Sequence, residues 1–320
     1  SGRRCRLPPL TSPPATSDPD SSAFNLQPSV FTRLLWLLLP ACATVLLLAT
    51  TNKMCQDVAV TPFLWVLPLG LYLLSFIICF DNPRWYRRTP FVLALIAALT
   101  AMCWALLEVT DASLRAQVIT DSSVLFPCCM VCHGELAERR PHASHLTGYY
   151  LAIALGGALG GFFVGGISPR IFPGFFEMSV AVFFCAVIGL ITFRHAYKWI
   201  YAGWALLAIV LGLTLYTQER EVVRESRLMK RNFYGVLRVT QSGGVQDPFS
   251  TRTLVHGTIT HGVQYLSPQR RRFHTTYYGS RSGVGLAIEN TRRSAQRVGV
   301  IGLGTGTLAS YGRPGDYYRF

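Results

Sequence analysis

The sequence predicts an α-helical, polytopic membrane bundle followed by a small β layer and the start of an α/β, Rossmann-like domain. Three observations carry this. Long apolar runs crowd residues 31–217, strand-like alternation sets in past Gln218, and the short apolar run Val298–Ile301 leads into glycines at 302, 304 and 306. Composition shows the same division: residues 1–216 hold 14 Lys/Arg against 10 Asp/Glu, whereas residues 217–320 hold 16 against 6, so most of the +14 net charge belongs to the tail. A basic region beside a bilayer favours an anionic lipid surface. Nucleic acid is not expected as a partner, because apart from Arg270–Arg272 the arginines are scattered and lack interleaved stacking aromatics.

Residues 1–30 are rich in Pro and Ser and read as a disordered lead-in, with no charged-then-apolar leader and cleavage site. All nine cysteines lie at or before Cys185, mostly inside apolar runs, which argues against a disulfide-built secreted domain.

A bilayer core needs about 20 mostly apolar residues per helix. On that ruler seven runs qualify, at 34–50, 58–80, 90–108, 114–132, 146–166, 174–193 and 198–216, the fourth interrupted by Asp121 and nearby polar residues. The loops with Arg84, Arg87 and Arg88, with Arg139 and Arg140, and with Arg194 and Lys198 are expected on the cytoplasmic side, as is the basic tail. Seven crossings would put the tail on the other side, so this placement requires that one run, the fourth or the seventh, does not cross.

Two motifs sit inside the apolar half. GGALGGFFVGG places Gly156/Gly160, Gly157/Gly161 and Gly161/Gly165 at spacing four, which lets two helix backbones approach closely. Cys129-Met-Val-Cys132-His133 has the spacing used for covalent haem attachment. It lies on the side expected to be cytoplasmic, without a second ligand pair at zinc spacing, so neither haem nor metal is expected. Glu135 and Glu138 read as balancing Arg139 and Arg140 in a solvated loop.

In the tail, Asn232–Thr240 reads as a strand, QSGGVQDPFS as a turn, Arg252–Gly257 as a strand returning antiparallel, and Gly262–Leu266 as a third extended piece. Ser282 is placed to cap a short helix reaching about Arg293. Val298–Ile301 then begins the α/β core, with a helix expected after the glycines whose positive end would face a nucleotide-like ligand. The dinucleotide fingerprint G-x-G-x-x-G would need glycine at 307, where this chain has Thr307; G-x-G-x-G with Thr305 suits the adenosyl-methionine type of strand, loop and helix.

These residues together resemble a known family. Phe233-Tyr-Gly-Val-Leu, Leu254-Val-His-Gly-Thr-Ile-Thr-His-Gly-Val-Gln264, Tyr277-Tyr278 and Gly302-Leu-Gly-Thr-Gly306 look like the start of the spermidine synthase family. Arg33-Leu-Leu-Trp-Leu-Leu-Leu-Pro, Trp65-Val-Leu-Pro-Leu-Gly-Leu-Tyr and Cys132-His-Gly-Glu-Leu resemble the membrane half of fused transporter-like (MFS-type)/spermidine synthase proteins. The resemblance divides the chain into a lead-in (1–30), a transmembrane domain (31–217) and the first part of a synthase-like domain (218–320). It implies a multi-pass protein of a bacterial inner membrane with a cytoplasmic tail. It also implies aminopropyl transfer from decarboxylated S-adenosylmethionine to a polyamine such as putrescine, without a metal.

In that scheme Gln264, Gly302, Gly304, Thr305 and Gly306 hold the co-substrate, and Tyr278 or its neighbour Tyr277 lines the diamine pocket. The family usually has Asp where this chain has Thr305, and an acid two residues past the tyrosine where this chain has Ser280. Its catalytic Asp is expected beyond Phe320, so no catalytic residue is assigned and this stretch is expected to be inactive. A methyltransferase of the same fold is the second reading. The third is a membrane transporter or sensor whose tail only binds a nucleoside or polyamine.

Overall fold

The computed structural model describes residues 28–56, 63–82, 84–107, 114–192, 198–232, 235–244, 247–257 and 259–320. Nearly all of the expected lead-in, the 109–113 loop and Arg194 lie outside the described residues. The apolar half is built of helices, as α1 (Val30–Gln56), α2 (Phe63–Asp81), α3 (Arg88–Leu107), α4 (Leu114–Glu138), α5 (Leu146–Phe162), α6 (Ser168–Ile171), α7 (Glu177–Thr192) and α8 (Lys198–Glu225). Between α5 and α6 the chain widens into one π turn, Phe163–Ile167, so that the Ser168 N–H donates to the Phe163 carbonyl five residues back.

Among the described residues four helical stretches are long and apolar enough to cross a membrane: Val30–Cys55, Leu64–Asp81, Ala143–Ile171 and Tyr201–Glu225. Arg88–Trp104 and Glu177–Ile191 are shorter apolar helices. The polarity of the bundle is inverted relative to a water-soluble one. Trp65, Leu73 and Ile77 of α2 and Leu206, Ile209 and Leu213 of α8 are exposed, while Asp121, His133, Glu135 and Glu177 are buried. An apolar exterior over a polar-dotted interior fits a membrane protein.

The glycine stripe of α5 packs on α1. A Cβ on Gly156 would fall against the Leu37 carbonyl oxygen and 2.7 Å from Pro40 Cγ, and one on Gly160 would lie 2.6 Å from the Ala41 carbonyl oxygen. Trp36 and Tyr149 meet edge to face at 5.2 Å beside this contact.

Two expectations for α4 change. The helix continues through the residues read as a solvated loop, and Glu135 is fully buried. Arg88 bonds both its carboxylate oxygens (2.7 and 3.0 Å), Arg139 donates at 2.5 Å and Tyr86 at 3.2 Å. A carboxylate can be buried here because two guanidinium groups and a phenol satisfy it. Burial, with the Glu135 charge adding to it, pushes the Tyr86 phenol well above its usual range. Cys129, Cys132 and His133 are also packed inside the bundle. The His133 Nδ1 lies 2.9 Å from Ser75 Oγ, and its ring meets Tyr72 and Phe76 edge-on. Among the described residues no three His, Cys, Asp or Glu side chains are grouped to hold a metal ion.

The bundle has two distinguishable ends. At one, Trp36 Nε1 donates to the Arg139 carbonyl (3.0 Å) and Arg88 bonds Glu135 and Glu138. At the other, Lys53 pairs with Asp121 (2.9 Å), Ser179 donates to Glu219 (2.7 Å), and the tail's Arg231 pairs with Glu177 (2.8 Å). The tail is therefore attached at the end opposite the Arg87–Arg88 and Arg139–Arg140 loops, not beside them as expected. Among the described residues Arg33, Arg84, Arg87, Arg88, Arg139, Arg140 and Lys198 flank the first end, and Lys53, Arg115, Arg170, Arg220 and Arg224 the end where the basic tail begins.

The helical half runs to Glu225, past the change of composition at Gln218, and passes directly into a four-stranded antiparallel meander. Its strands are β1 (Ser226–Asn232), β2 (Gly235–Ser242), β3 (Thr251–His256) and β4 (Ile259–Tyr265). Asn232 ends β1 and pairs with Gly235, which begins β2, so the single strand expected over Asn232–Thr240 is divided between β1 and β2. The antiparallel return is as the alternation indicates, with Leu237 opposite His256 and Ser242 opposite Thr251.

The Ser282 hydroxyl accepts from the Gly285 N–H (3.1 Å) and caps α9 (Gly283–Asn290). β5 (Arg297–Gly299) and β6 (Tyr317–Arg319) pair in parallel, which is the elementary step of an α/β layer. Between them, however, stands a five-residue 3₁₀ helix, Thr307–Tyr311, where an α-helix was expected. Gly312, Pro314 and Gly315 come next and end it. A Rossmann-like domain is thus not formed by the described residues. The Asp316 carboxylate accepts N–H bonds from Arg313 (3.0 Å) and Gln296 (2.9 Å), which hold it below the usual carboxylate range. Its help in keeping β6 beside β5 is present at neutral pH and lost as pH falls through that depressed value.

Candidate functional site

The loop after β5 is shaped by its glycines. Gly302, Gly304 and Gly306 all have left-handed φ, at 95°, 54° and 72°, a geometry that costs a side-chain-bearing residue roughly 1–2 kcal/mol. Gly306 then caps the 3₁₀ helix. The loop lies against β4, and Gly262 makes this possible: a Cβ there would run into the Thr305 side chain. Thr305 Oγ1 in turn lies 2.8 Å from Thr307 Oγ1.

Between this loop, β4 and the turn after β4 is a cleft of about 300 Å³. Gln264, Thr305 and Gly306, three of the residues singled out from the sequence, line it. Thr275, Thr307, Ser310, Arg271 and Arg272 complete its polar wall. Gln264 is exposed, and its Nε2 lies 3.5 Å from the Arg271 carbonyl. Gly304 borders a neighbouring depression with His256 and His261 and lies close to Tyr278, whose Oη would be 3.9 Å from a Cβ at 304. Tyr278 accepts a 2.7 Å bond from Tyr311 Oη at its carbonyl, and burial with the adjacent Tyr277 raises its phenol. Gly302 shapes the loop but does not line the cleft.

One wall is braced by His274. Its ring stacks on Tyr311 at 3.6 Å and Nδ1 lies 2.6 Å from Ser310 Oγ. Burial lowers its pKa, so it stands neutral at pH 7. Arg271 and Arg272 escaped notice as site residues because their run was read only as charge. The signal for them was position: the run comes a few residues after β4, at the same edge as Gln264.

The cleft can take up a nucleoside-sized group, with the loop backbone, threonine hydroxyls and the Gln264 amide offering polar contacts. Among the described residues that line it there is no Asp or Glu. No family model, curated protein or solved structure matches the chain.

Proposed function

We propose that this is a membrane-anchored, spermidine-synthase-like protein whose tail binds an adenosyl compound at the Gly302–Gly306 loop. The reaction class is alkyl transfer to an amine, with putrescine as the type of acceptor. One observation supports this above the others: Gln264 and the neighbouring pair Thr305 and Gly306, distant from it in the chain, meet on one cleft beside a loop whose three glycines have positive φ. Putrescine is an ammonium at neutral pH and attacks carbon only once a base frees its lone pair. Since no carboxylate lines the described cleft, these residues bind rather than turn over. The bundle anchors the site, and the tail faces the cytoplasm, where adenosyl compounds are made.

Calorimetry on the purified chain in detergent tests the binding. Adenosyl ligands are expected to bind the parent, and Gly304→Val to lose that binding, because a β-branched residue is strained at φ 54° and would distort the loop that carries Thr305 and Gly306 into the cleft. Unchanged binding by Gly304→Val would make the loop merely structural and remove the assignment. Orientation has its own test. The tail has no cysteine, so Arg281→Cys and Arg140→Cys, both exposed, are expected to react with an impermeant thiol reagent from opposite sides, Arg281→Cys from the cytoplasm. Labelling of Arg281→Cys from outside would overturn the cytoplasmic tail.

A further inference from the structure

The three arginines after β4 have separate duties. The turn is tied by bonds from the Arg270 and Arg271 N–H groups to the Ser267 carbonyl (3.0 and 2.9 Å) and from Phe273 N–H to the Arg270 carbonyl (2.8 Å). Arg270 leans away over Phe249, 4.1 Å from its ring centre, with Tyr265 at 6.0 Å. Arg271 and Arg272 line the cleft instead, with Thr305, Gly306, Thr307 and Ser310. Guanidinium groups bond carboxylates and phosphates in pairs, while the Gly306 N–H is already given to the Leu303 carbonyl (2.8 Å). Glu289 acts on His274 from outside the cleft, and among the described residues no acid lines it.

We infer that Arg271 and Arg272, opposite the glycine loop, form a subsite for a negatively charged group on the adenosyl ligand, a carboxylate or a phosphate. This rests on the adenosyl reading above and narrows it. Decarboxylated S-adenosylmethionine carries a sulfonium and an ammonium and has no anion to offer two arginines; intact S-adenosylmethionine has a carboxylate, and a nucleoside diphosphate has phosphates. With Thr305 in place of an acid, the cleft selects against the doubly cationic compound.

Equilibrium binding to the purified full chain in detergent tests this with adenosine, S-adenosylmethionine, its decarboxylated form, ADP and pyrophosphate. An anionic ligand is expected to bind at least about tenfold more tightly than adenosine or the decarboxylated compound. S-adenosylmethionine leading identifies a carboxylate subsite, and ADP leading a phosphate one. The preference is expected to disappear in Arg271→Ala/Arg272→Ala and to persist in Arg281→Ala, an exposed arginine outside the cleft. Equal or tighter binding of the decarboxylated compound overturns the anion subsite and leaves the adenosyl reading standing, as does a preference unaffected by the double substitution. Arginine-dependent pyrophosphate binding with no adenosyl ligand bound keeps the subsite and overturns the adenosyl reading. No binding of any of the five overturns both.

Discussion

Arg231→Ala is expected to loosen the tail from the helix bundle at a cost of about 3–5 kcal/mol, the range for removing one partner of a buried ion pair. The side chain is 3% exposed and Glu177 is 0% exposed. Its two terminal nitrogens take both Glu177 oxygens at 2.8 Å, and Nη1 also reaches the Gly174 carbonyl (2.8 Å) and Ser168 Oγ (3.2 Å). The guanidinium lies 4.0 Å from the Phe175 ring centre. Among the described residues, truncation leaves the interior carboxylate with the Ser168 hydroxyl, which donates at 2.9 Å. The expected result is faster proteolysis around β1 and a lower thermal midpoint in detergent. Arg231→Ala/Glu177→Leu, which removes the stranded charge, should recover part of the loss. If the single variant matches the parent in both measurements, the pair does not hold the tail.

Gly156→Val is expected to wedge α1 from α5. A side chain there meets the Leu37 carbonyl and Pro40, and main-chain atoms cannot rotate away as a flexible side chain would. Overpacking of this kind costs about 1–3 kcal/mol, and more where backbone must move. Gly161, at the looser edge of the same contact with α1, is the control. A Cβ on Gly161 would lie 4.0 Å from Leu48 Cδ1, an ordinary contact, so Gly161→Ala should be tolerated. Thermal unfolding of the two variants in detergent separates them. Equal midpoints would mean that the close approach of α1 and α5 does not matter to stability.

The helices were legible in the sequence because uninterrupted apolar length is a local property, and each of the seven runs falls on a helix. β1 was not legible. Ser226–Asn232 is a charged edge strand whose inward residues Met229 and Arg231 include an arginine while Leu228 is exposed, so its alternation carries no clear apolar signal. Glu135 was misplaced for a related reason. An acidic pair beside two arginines, Glu135 and Glu138 with Arg139 and Arg140, reads as solvated, and the partner that lets Glu135 be buried, Arg88, comes 47 residues earlier. In the tail, the glycines disclosed a positive-φ loop and Gln264 lies where its strand suggested. The 3₁₀ helix could have been read from Gly312, Pro314 and Gly315, but the motif before it suggested a longer one. Which residues share a cleft depends on the fit of Gly262 under Thr305, a tertiary contact without a local signature.

The π turn at Phe163–Ile167 takes up one residue more than an α-helix would hold over the same rise. In regular α geometry an added residue would rotate everything after it by about 100°, whereas one absorbed in a wider turn leaves the following segment in phase. Ser168, just beyond the turn, donates to Glu177 (2.9 Å) and accepts from Arg231 (3.2 Å). Taking out Gly165, around which no atom lies within 4 Å of a would-be Cβ, is therefore expected to let α geometry resume with Ser168 still aimed at Glu177. The seat prepared for Arg231 is thus insulated from a change of chain length in the helix before it.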